Sequence, residues 1–383
     1  MTNNNIPLMN PALDAVSRIE EEHPGKYAPE NSDANAVSYN HRSETTAMLK
    51  RGKTVNVSEK QIPGSIPLET NDYTFEDKEW NNIDKSDEYK QLMSDRGKLL
   101  SARQKLPLDA KVNLAKNRIR KVVAEYGLDK CVINFSGGKD STVLSHIILS
   151  MGYKMDHYYI NTRLEYPECV AYVKEWTDKH KVKLITMVPD IMPIEVWKKF
   201  GYPMFTKEVA DTLYRLRKGY KVAPNRLKRA EKFLKYKRYR ISDKCCYYLK
   251  KAPTVKFFKK NDKIVSIIGT TAEESRMRRI NWVRKGCIYK TKGQVICNPI
   301  IFFNEADIYA YVKKHRIKLA SIYAKGMRRN GCFCCGFGCH KKDENTFLVL
   351  KRLYPNIYPT IMDKWGFRKI CKQCDVDIGE ETK

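Results

Sequence analysis

The sequence contains no run of 18 apolar residues, so it offers no segment that would span a bilayer as a helix. Its first residues, MTNNNIPLMN, have neither the basic start nor the apolar stretch of a secretory signal, and the expected setting is cytoplasmic. No fixed-period repeat runs through it, which excludes solenoids and propellers. Acid is in short supply: 44 Asp and Glu stand against 72 Lys and Arg, a net charge of +28. Cysteine is plentiful, at 12 residues. In a reducing compartment that number points to metal or redox chemistry rather than to structural disulfides. With 383 residues, 42% of them hydrophobic, the chain is long enough for one large domain or two ordinary ones.

The charge is uneven. Residues 1–100 hold 12 Lys and Arg against 17 Asp and Glu, so the rest of the chain carries the whole basic excess. A field of that sign attracts polyanions, either nucleic acid or phosphorylated small molecules; a lysine-rich composition with solvated side chains accounts for the same count. Residues 1–104 read as a polar, acidic, weakly structured extension, punctuated by Pro7, Pro11, Pro24, Pro29, Pro63 and Pro67. Its last part, from Ser86, is spaced for a helix that docks on the main domain. That domain spans residues 105–345, with a basic helical insert at 203–263, and 346–383 reads as a C-terminal tail carrying a C-x-x-C.

Within the main domain the hydrophobic period switches back and forth between helix and strand. DAKVNLAKNRIRKVVAEYG ends at Gly127, a helix stop. CVINF (131–135), HYYINT (157–162), KLITMV (183–188) and IVSIIGT (264–270) are strand candidates separated by helical stretches, and CIYKTKGQVICNPI (287–300) reads as a hairpin turned at Lys292 and Gly293. Strands alternating with helices predict an α/β fold: an open, mostly parallel sheet with helices on both faces.

The first strand runs into INFSGGKDSTVL (133–144). This is not the G-x-x-x-x-G-K-[ST] loop of P-loop proteins. It nevertheless lies between a strand and a helix, where glycines let the backbone approach an anion and the helix start presents free N–H groups. The predicted phosphate-binding residues are Ser136, Gly137, Gly138, Lys139, Asp140 and Ser141. Asp140 is also placed to hold a magnesium ion if the ligand is ATP.

SGGKDS resembles the pyrophosphate loop of the adenine nucleotide alpha-hydrolase-like group, whose sheet is Rossmann-like. YYINTRLEYPECVAYVKEW (158–176) resembles the segment after the second strand in phosphoadenosine phosphosulfate (PAPS) reductases, with Asn161 and Arg163 in place of the usual Asp and Gly. IIGTTAEESRMRR (267–279) is similar to that family's G-x-R-A-x-E-S-x-x-R segment, with Thr271 in place of an arginine. The resemblance implies an adenine nucleotide, whether PAPS, adenylyl sulfate or ATP, with Asn161 and Gly269 also at the nucleotide. Physically, Arg276, Arg278 and Arg279 are candidates to meet an anionic substrate.

DKCCYYLKKAP (243–253) together with RRNGCFCCGFGCH (328–340) resembles the cysteine set that binds a four-iron four-sulfur (4Fe-4S) cluster in adenylyl-sulfate reductases. The matching positions are Cys245, Cys246, Cys332 and Cys335, and thiolates are the ligands such clusters take. A zinc site built from Cys332, Cys335, Cys371 and Cys374 is the alternative, with Cys334, Cys339 and His340 as substitute ligands. Cys131, Cys169, Cys287 and Cys297 read as core residues.

The resemblance favours reduction of PAPS or adenylyl sulfate to sulfite by a cysteine nucleophile, with ATP-dependent thiolation of tRNA or DNA as the alternative. As a sulfonucleotide reductase, the chain would use a tail cysteine, Cys371 or Cys374, as nucleophile, release sulfite, and need a thioredoxin-like reductant; the family's E-C-G segment is missing. As a thiolation enzyme it would adenylate tRNA or DNA, which suits the basic, tyrosine-rich insert. A non-catalytic nucleotide- or cluster-binding protein is the third reading. No oligomeric state can be read from these residues.

Overall fold

The computed structural model describes residues 87–379 other than 292, 343 and 344. The extension up to residue 86, and Lys292 of the hairpin, lie outside the described residues. In chain order the elements begin with α1 (Asp87–Gln104), α2 (Leu108–Tyr126), β1 (Cys131–Asn134), α3 (Lys139–Leu149), β2 (Asp156–Ile160), α4 (Pro167–His180), β3 (Leu184–Met187) and α5 (Pro193–Phe200). The insert holds β4 (Met204–Phe205), α6 (Lys207–Arg217), α7 (Pro224–Ala230), a 3-10 turn (Glu231–Tyr236), α8 (Lys244–Cys246), a π-helical turn (Tyr247–Lys251) and α9 (Ala252–Lys260). After it come β5 (Val265–Ile268), α10 (Arg276–Lys285), β6 (Ile288–Thr291), β7 (Gln294–Cys297), α11 (Glu305–Lys314), β8 (Gly336–Phe337), α12 (Thr346–Leu353), a second π turn (Thr360–Lys364) and α13 (Phe367–Gln373).

The main sheet has six strands in the order β3-β2-β1-β5-β7-β6. All neighbours are parallel except the β6–β7 hairpin, in which Thr291 faces Gln294. The expected sheet is therefore present. Side chains alternate across β1: Cys131 and Ile133 join the large core with Ile119, Val122 and Ile147, whereas Val132 packs on the opposite face with Tyr158 and Phe257. The order reverses at β1, whose parallel neighbours are β2 and β5, and in open sheets ligands sit beyond the carboxyl ends of the strands at such a point.

α3 is pinned to β2 by a buried hydrogen-bond chain with one self-consistent proton order. Trp176 Nε1–H donates to Ser145 Oγ (2.9 Å), the Ser145 hydroxyl donates to His157 Nε2 (2.7 Å), and His157 Nδ1–H donates to the Met155 carbonyl (2.9 Å). Burial lowers His157 from 6.5 to about 4. Because the folded state disfavours the imidazolium, this contribution is complete above pH 6.5 and is lost as pH falls toward 4. The shift corresponds to about 3 kcal/mol. Urea denaturation at pH 7 and pH 4.5 should show a loss that His157→Gln makes smaller; an equally acid-sensitive variant would show that the histidine is not involved.

The C-terminal stretch is not a tail. Phe347, Ile361, Met362, Phe367, Ile370 and Cys371 are all in the main core, and Trp197 packs on Trp365 (5.7 Å between rings) and Phe367 (4.9 Å). α1 forms a helix that docks on the main domain, as read for the segment from Ser86: Leu100 is fully buried, Arg96 lies over Trp282 and Arg103 over Phe302, and Arg279 donates to Ser101 Oγ.

Candidate functional site

The loop between β1 and α3 is wound about two hydroxyls. Ser136 and Ser141 Oγ are 3.2 Å apart, Gly138 N–H donates to Ser136 Oγ, Ser136 N–H donates to Ser141 Oγ, and the Ser141 hydroxyl donates to the Gly138 carbonyl. Gly137 has φ +69°, and a side chain there would meet the Cys169 carbonyl. The N-cap of α3 is Gly138, with no side-chain cap, so the first-turn amides have no intrahelical acceptor; that of Lys139 is taken by the Tyr323 hydroxyl.

Above the loop lies a cavity of about 380 Å³. It is bounded by the ends of β1 (Asn134), β2 (Tyr158 to Ile160) and β5 (Ile268), together with the loop. Of the residues that sequence reasoning assigned to phosphates, Ser136, Gly138, Asp140 and Ser141 line it, as do Gly269 and Arg278. Burial raises the Asp140 carboxyl above its ordinary value, with Lys139 opposing the shift. Arg278 pairs with Glu274 on the cavity wall. Gly269 has a packing reason of its own: a Cβ there would stand 2.9 Å from Ser141 Cα and 3.0 Å from the Asp140 carbonyl oxygen.

Several predicted residues lie elsewhere. Lys139 does not line the cavity; its ammonium meets Asp140 (3.5 Å), Glu305 (3.5 Å) and the Arg328 carbonyl (3.3 Å). Asn161 is a turn residue whose Oδ1 accepts from Arg163 N–H, holding Arg163 at φ +67°. Arg276 is exposed and Arg279 serves the α1 contact; of the three arginines Arg278 alone reaches the cavity.

Other residues complete the wall. Glu165 is buried and accepts from Thr162 N–H and Thr162 Oγ1, each at 2.8 Å, with Lys250 at 3.8 Å. Lys250 reaches the cavity from the π turn, a rare conformation found mostly at functional positions. Asn330 donates to the Ser136 carbonyl, and the Tyr323 hydroxyl accepts from Lys139 N–H at 2.8 Å. The strap from 323 to 331 therefore closes one side of the β1–α3 loop. Nothing in its composition marks that role.

The cysteines fall into two groups. The Cys245 thiol donates to Cys246, which holds Cys246 down at about 6 and Cys245 well above its ordinary value. Cys332 and Cys335 are electrostatic neighbours of that pair, and Lys250 is held above its usual range first by Cys332, then also by Glu165, Cys246 and Cys335. Cys332 also bridges by backbone to Glu165. Cys332 and Cys335 thus act electrostatically on Lys250, which lines the cavity, but these four cysteines, like the zinc set, include no three that are spaced to close on one ion. Cys371 and Cys374, however, neighbour Cys339, not Cys332 or Cys335. The zinc set Cys332, Cys335, Cys371 and Cys374 is split between the groups, and among the described residues no three His, Cys, Asp or Glu side chains are spaced to close on one ion. Cys334 is buried and raised by desolvation, while the His340 ring packs on Phe233 at 5.3 Å. Cys131, Cys169, Cys287 and Cys297 are buried, as expected, and Cys169 also touches the cavity. Cys371 and Cys374 do not line it, and burial raises both thiols, Cys374 to about 12.

A parallel sheet with a glycine loop feeding a helix at its switch point, and a polar cavity on that loop, is the frame of a nucleotide-binding α/β enzyme. The phosphoadenosine phosphosulfate reductase domain model matches residues 130–221 and 202–336, and the chain belongs to that nucleotide-binding family of enzymes. An uncharacterized protein of Methanocaldococcus jannaschii is 24% identical over 233 residues, 61% of this chain and 46% of the relative; the chain thus spans under half of that relative's length. PAPS reductase from Candida auris aligns at 16% identity with a TM-score of 0.39, over 65% of this chain and 97% of its own. The FMN adenylyltransferase of Candida glabrata aligns at 12% and 0.38, over 63% and 72%. At these values the likeness carries nothing about activity. No helix among the described residues is long and apolar enough to cross a membrane.

Proposed function

We propose that the cavity takes an adenine nucleotide with its phosphates on Ser136 to Ser141, and that the chain spends ATP to activate a nucleic-acid acceptor for sulfur transfer. The observation favouring this over sulfonucleotide reduction is the place of Cys371 and Cys374. A reductase needs a mobile thiolate at the nucleotide, and these thiols are core residues with raised pKa. Cys169, on the cavity wall, is itself pushed up to about 12 by burial.

In this reading an acceptor oxygen attacks the α-phosphorus, the bond to the bridging oxygen of the β-phosphate breaks, and pyrophosphate leaves with that electron pair. The α3 amides and Arg278 take the charge of the leaving group, and Asp140 would hold a magnesium ion, which would supply further charge neutralisation there. A sulfur nucleophile supplied as sulfide then displaces AMP from the activated carbon, forming the C–S bond as the C–O bond to AMP breaks. Cys245, Cys246, Cys332 and Cys335 fit a 4Fe-4S cluster by donor chemistry, with the Lys250 cation among them to offset its negative charge. When bound, such a cluster supplies a redox-active sulfur centre beside the nucleotide.

The test compares products. Anaerobically purified protein given ATP with tRNA or DNA should release pyrophosphate, whereas PAPS or adenylyl sulfate with thioredoxin should give no sulfite. Cys371→Ala and Cys374→Ala, each checked by thermal melting, should keep the pyrophosphate activity within about threefold, because a buried thiol exchanged for a methyl leaves the cavity intact. Sulfite release abolished by either variant would establish the reductase instead.

A further inference from the structure

The arginines of the insert are engaged by acids, carbonyls or a tyrosine of the chain, whereas several of its lysines are not. Arg226 and Arg215 pair with Asp211, Arg229 pairs with Glu208, and Arg217 donates to the carbonyls of Tyr239, Ile241 and Phe200. Ala230, Phe233 and Leu234 are turned to the core, where Phe233 meets Phe205 at 4.6 Å. What this leaves toward solvent is Lys218, Lys221, Lys228, Lys232 and Lys237, all exposed and none with an acidic partner among the described residues. Tyr220 stands between the first two with 55% of its surface exposed. A strand of nucleic acid uses both, since ammonium groups neutralise phosphates and an aromatic ring stacks on a base.

The face is also continuous in the chain with the candidate site: a few residues on, the segment reaches Cys245, Cys246 and then Lys250 on the cavity wall. Through β4, which pairs in parallel with β8, the insert is fastened to the cysteine-rich segment as well.

We infer that Lys218, Lys221, Lys228, Lys232 and Lys237, with Tyr220, form the docking surface for single-stranded nucleic acid, the lysines on its phosphates and the tyrosine stacked on a base. The inference rests on the nucleic-acid-acceptor reading only for its purpose, because docking is measured with no ATP present. Lost pyrophosphate release with docking intact would strike the reaction and leave the surface standing.

The experiment is fluorescence anisotropy of the full chain with a labelled 20-nucleotide single strand of RNA or DNA, across a salt series. The five-lysine Lys→Gln variant should bind at least about 30-fold more weakly at moderate salt and show a shallower dependence on log salt, by about 0.7 for each phosphate no longer neutralised. Tyr220→Ala should weaken binding by about tenfold with the salt slope unchanged, which separates stacking from charge. A control with Lys121, Lys154 and Lys174 changed to Gln, elsewhere on the domain and also exposed, should bind as the wild type does. Unchanged affinity in the five-lysine variant, or an equal per-charge loss in the control, would overturn the surface. Heparin of matched charge binding as tightly as the oligonucleotide, with Tyr220→Ala without effect, would overturn the assignment to nucleic acid.

Discussion

Gly269→Ala is expected to weaken nucleotide binding at least 100-fold, equivalent to about 2.7 kcal/mol, although it adds a single methyl outside the phosphate loop itself. The methyl would stand 2.9 Å from Ser141 Cα and 3.0 Å from both Asp140 O and Ser141 N. These are backbone atoms of the first turn of α3, and they cannot swing aside as a side chain would. The end of β5 and the start of the helix must separate, which moves the amides off the anion. Gly138→Ala provides the contrast. Its methyl would meet the Asn330 amide, the end of a side chain that can rotate away, so a loss of about tenfold is expected. Isothermal titration with ATP measures both, and equal affinities for Gly269→Ala and wild type would remove the loop from the nucleotide site.

The second large effect concerns the C-terminal part. Truncation after residue 345 is expected to yield no soluble folded protein. It would uncover Trp197 from Trp365 and Phe367, strip Tyr202 of Phe367 (5.1 Å between rings), and leave the Tyr202 hydroxyl without its Trp365 carbonyl partner. Emptying one large aromatic site costs about 3–5 kcal/mol; several at once exceed the roughly 5–15 kcal/mol that holds a typical domain folded. Trp365→Ala is the milder version, expected to lower stability by about 3 kcal/mol in urea denaturation. A truncated chain that melts cooperatively at the full-length temperature would mean that 346–379 is separable after all.

This second result marks where the sequence was hard to read. The central strands announced themselves because buried parallel strands are short apolar runs between turns, as at Cys131–Asn134 and Val265–Ile268. The loop was legible because its glycines sit between such a strand and a helix. At the end of the chain the apolar run at 347–350 lies in a helix rather than a strand, and the other core residues, Met362, Trp365 and Phe367, are scattered among charged ones and in a π turn, so it read as a tail. α1 is also polar along its length; what docks it, beyond Leu100, is arginine laid on Trp282 and Phe302, and a hydrophobic pattern does not register cations stacked on rings.

At the site, chemistry-bearing residue types were readable and their directions were not. Lys139 belonged to the loop motif, yet its ammonium is drawn to Glu305 and Asp140. Asn161 sat at the end of β2, yet its side chain is used to close a turn. Lys250 reaches the cavity because a π turn comes directly after Cys245 and Cys246, and one extra residue in a helical turn leaves no trace in composition. The grouping of Cys371 and Cys374 with Cys339 depends on how α13 packs, a tertiary fact that C-x-x-C spacing does not contain.

The most direct test of adenylation at this cavity is exchange of labelled pyrophosphate into ATP, run with magnesium and a tRNA or DNA acceptor. Pyrophosphate held on Ser136 to Ser141 predicts acceptor-dependent exchange that Asp140→Asn reduces by at least 100-fold. No exchange with any acceptor, together with sulfite formed from PAPS or adenylyl sulfate, would contradict it.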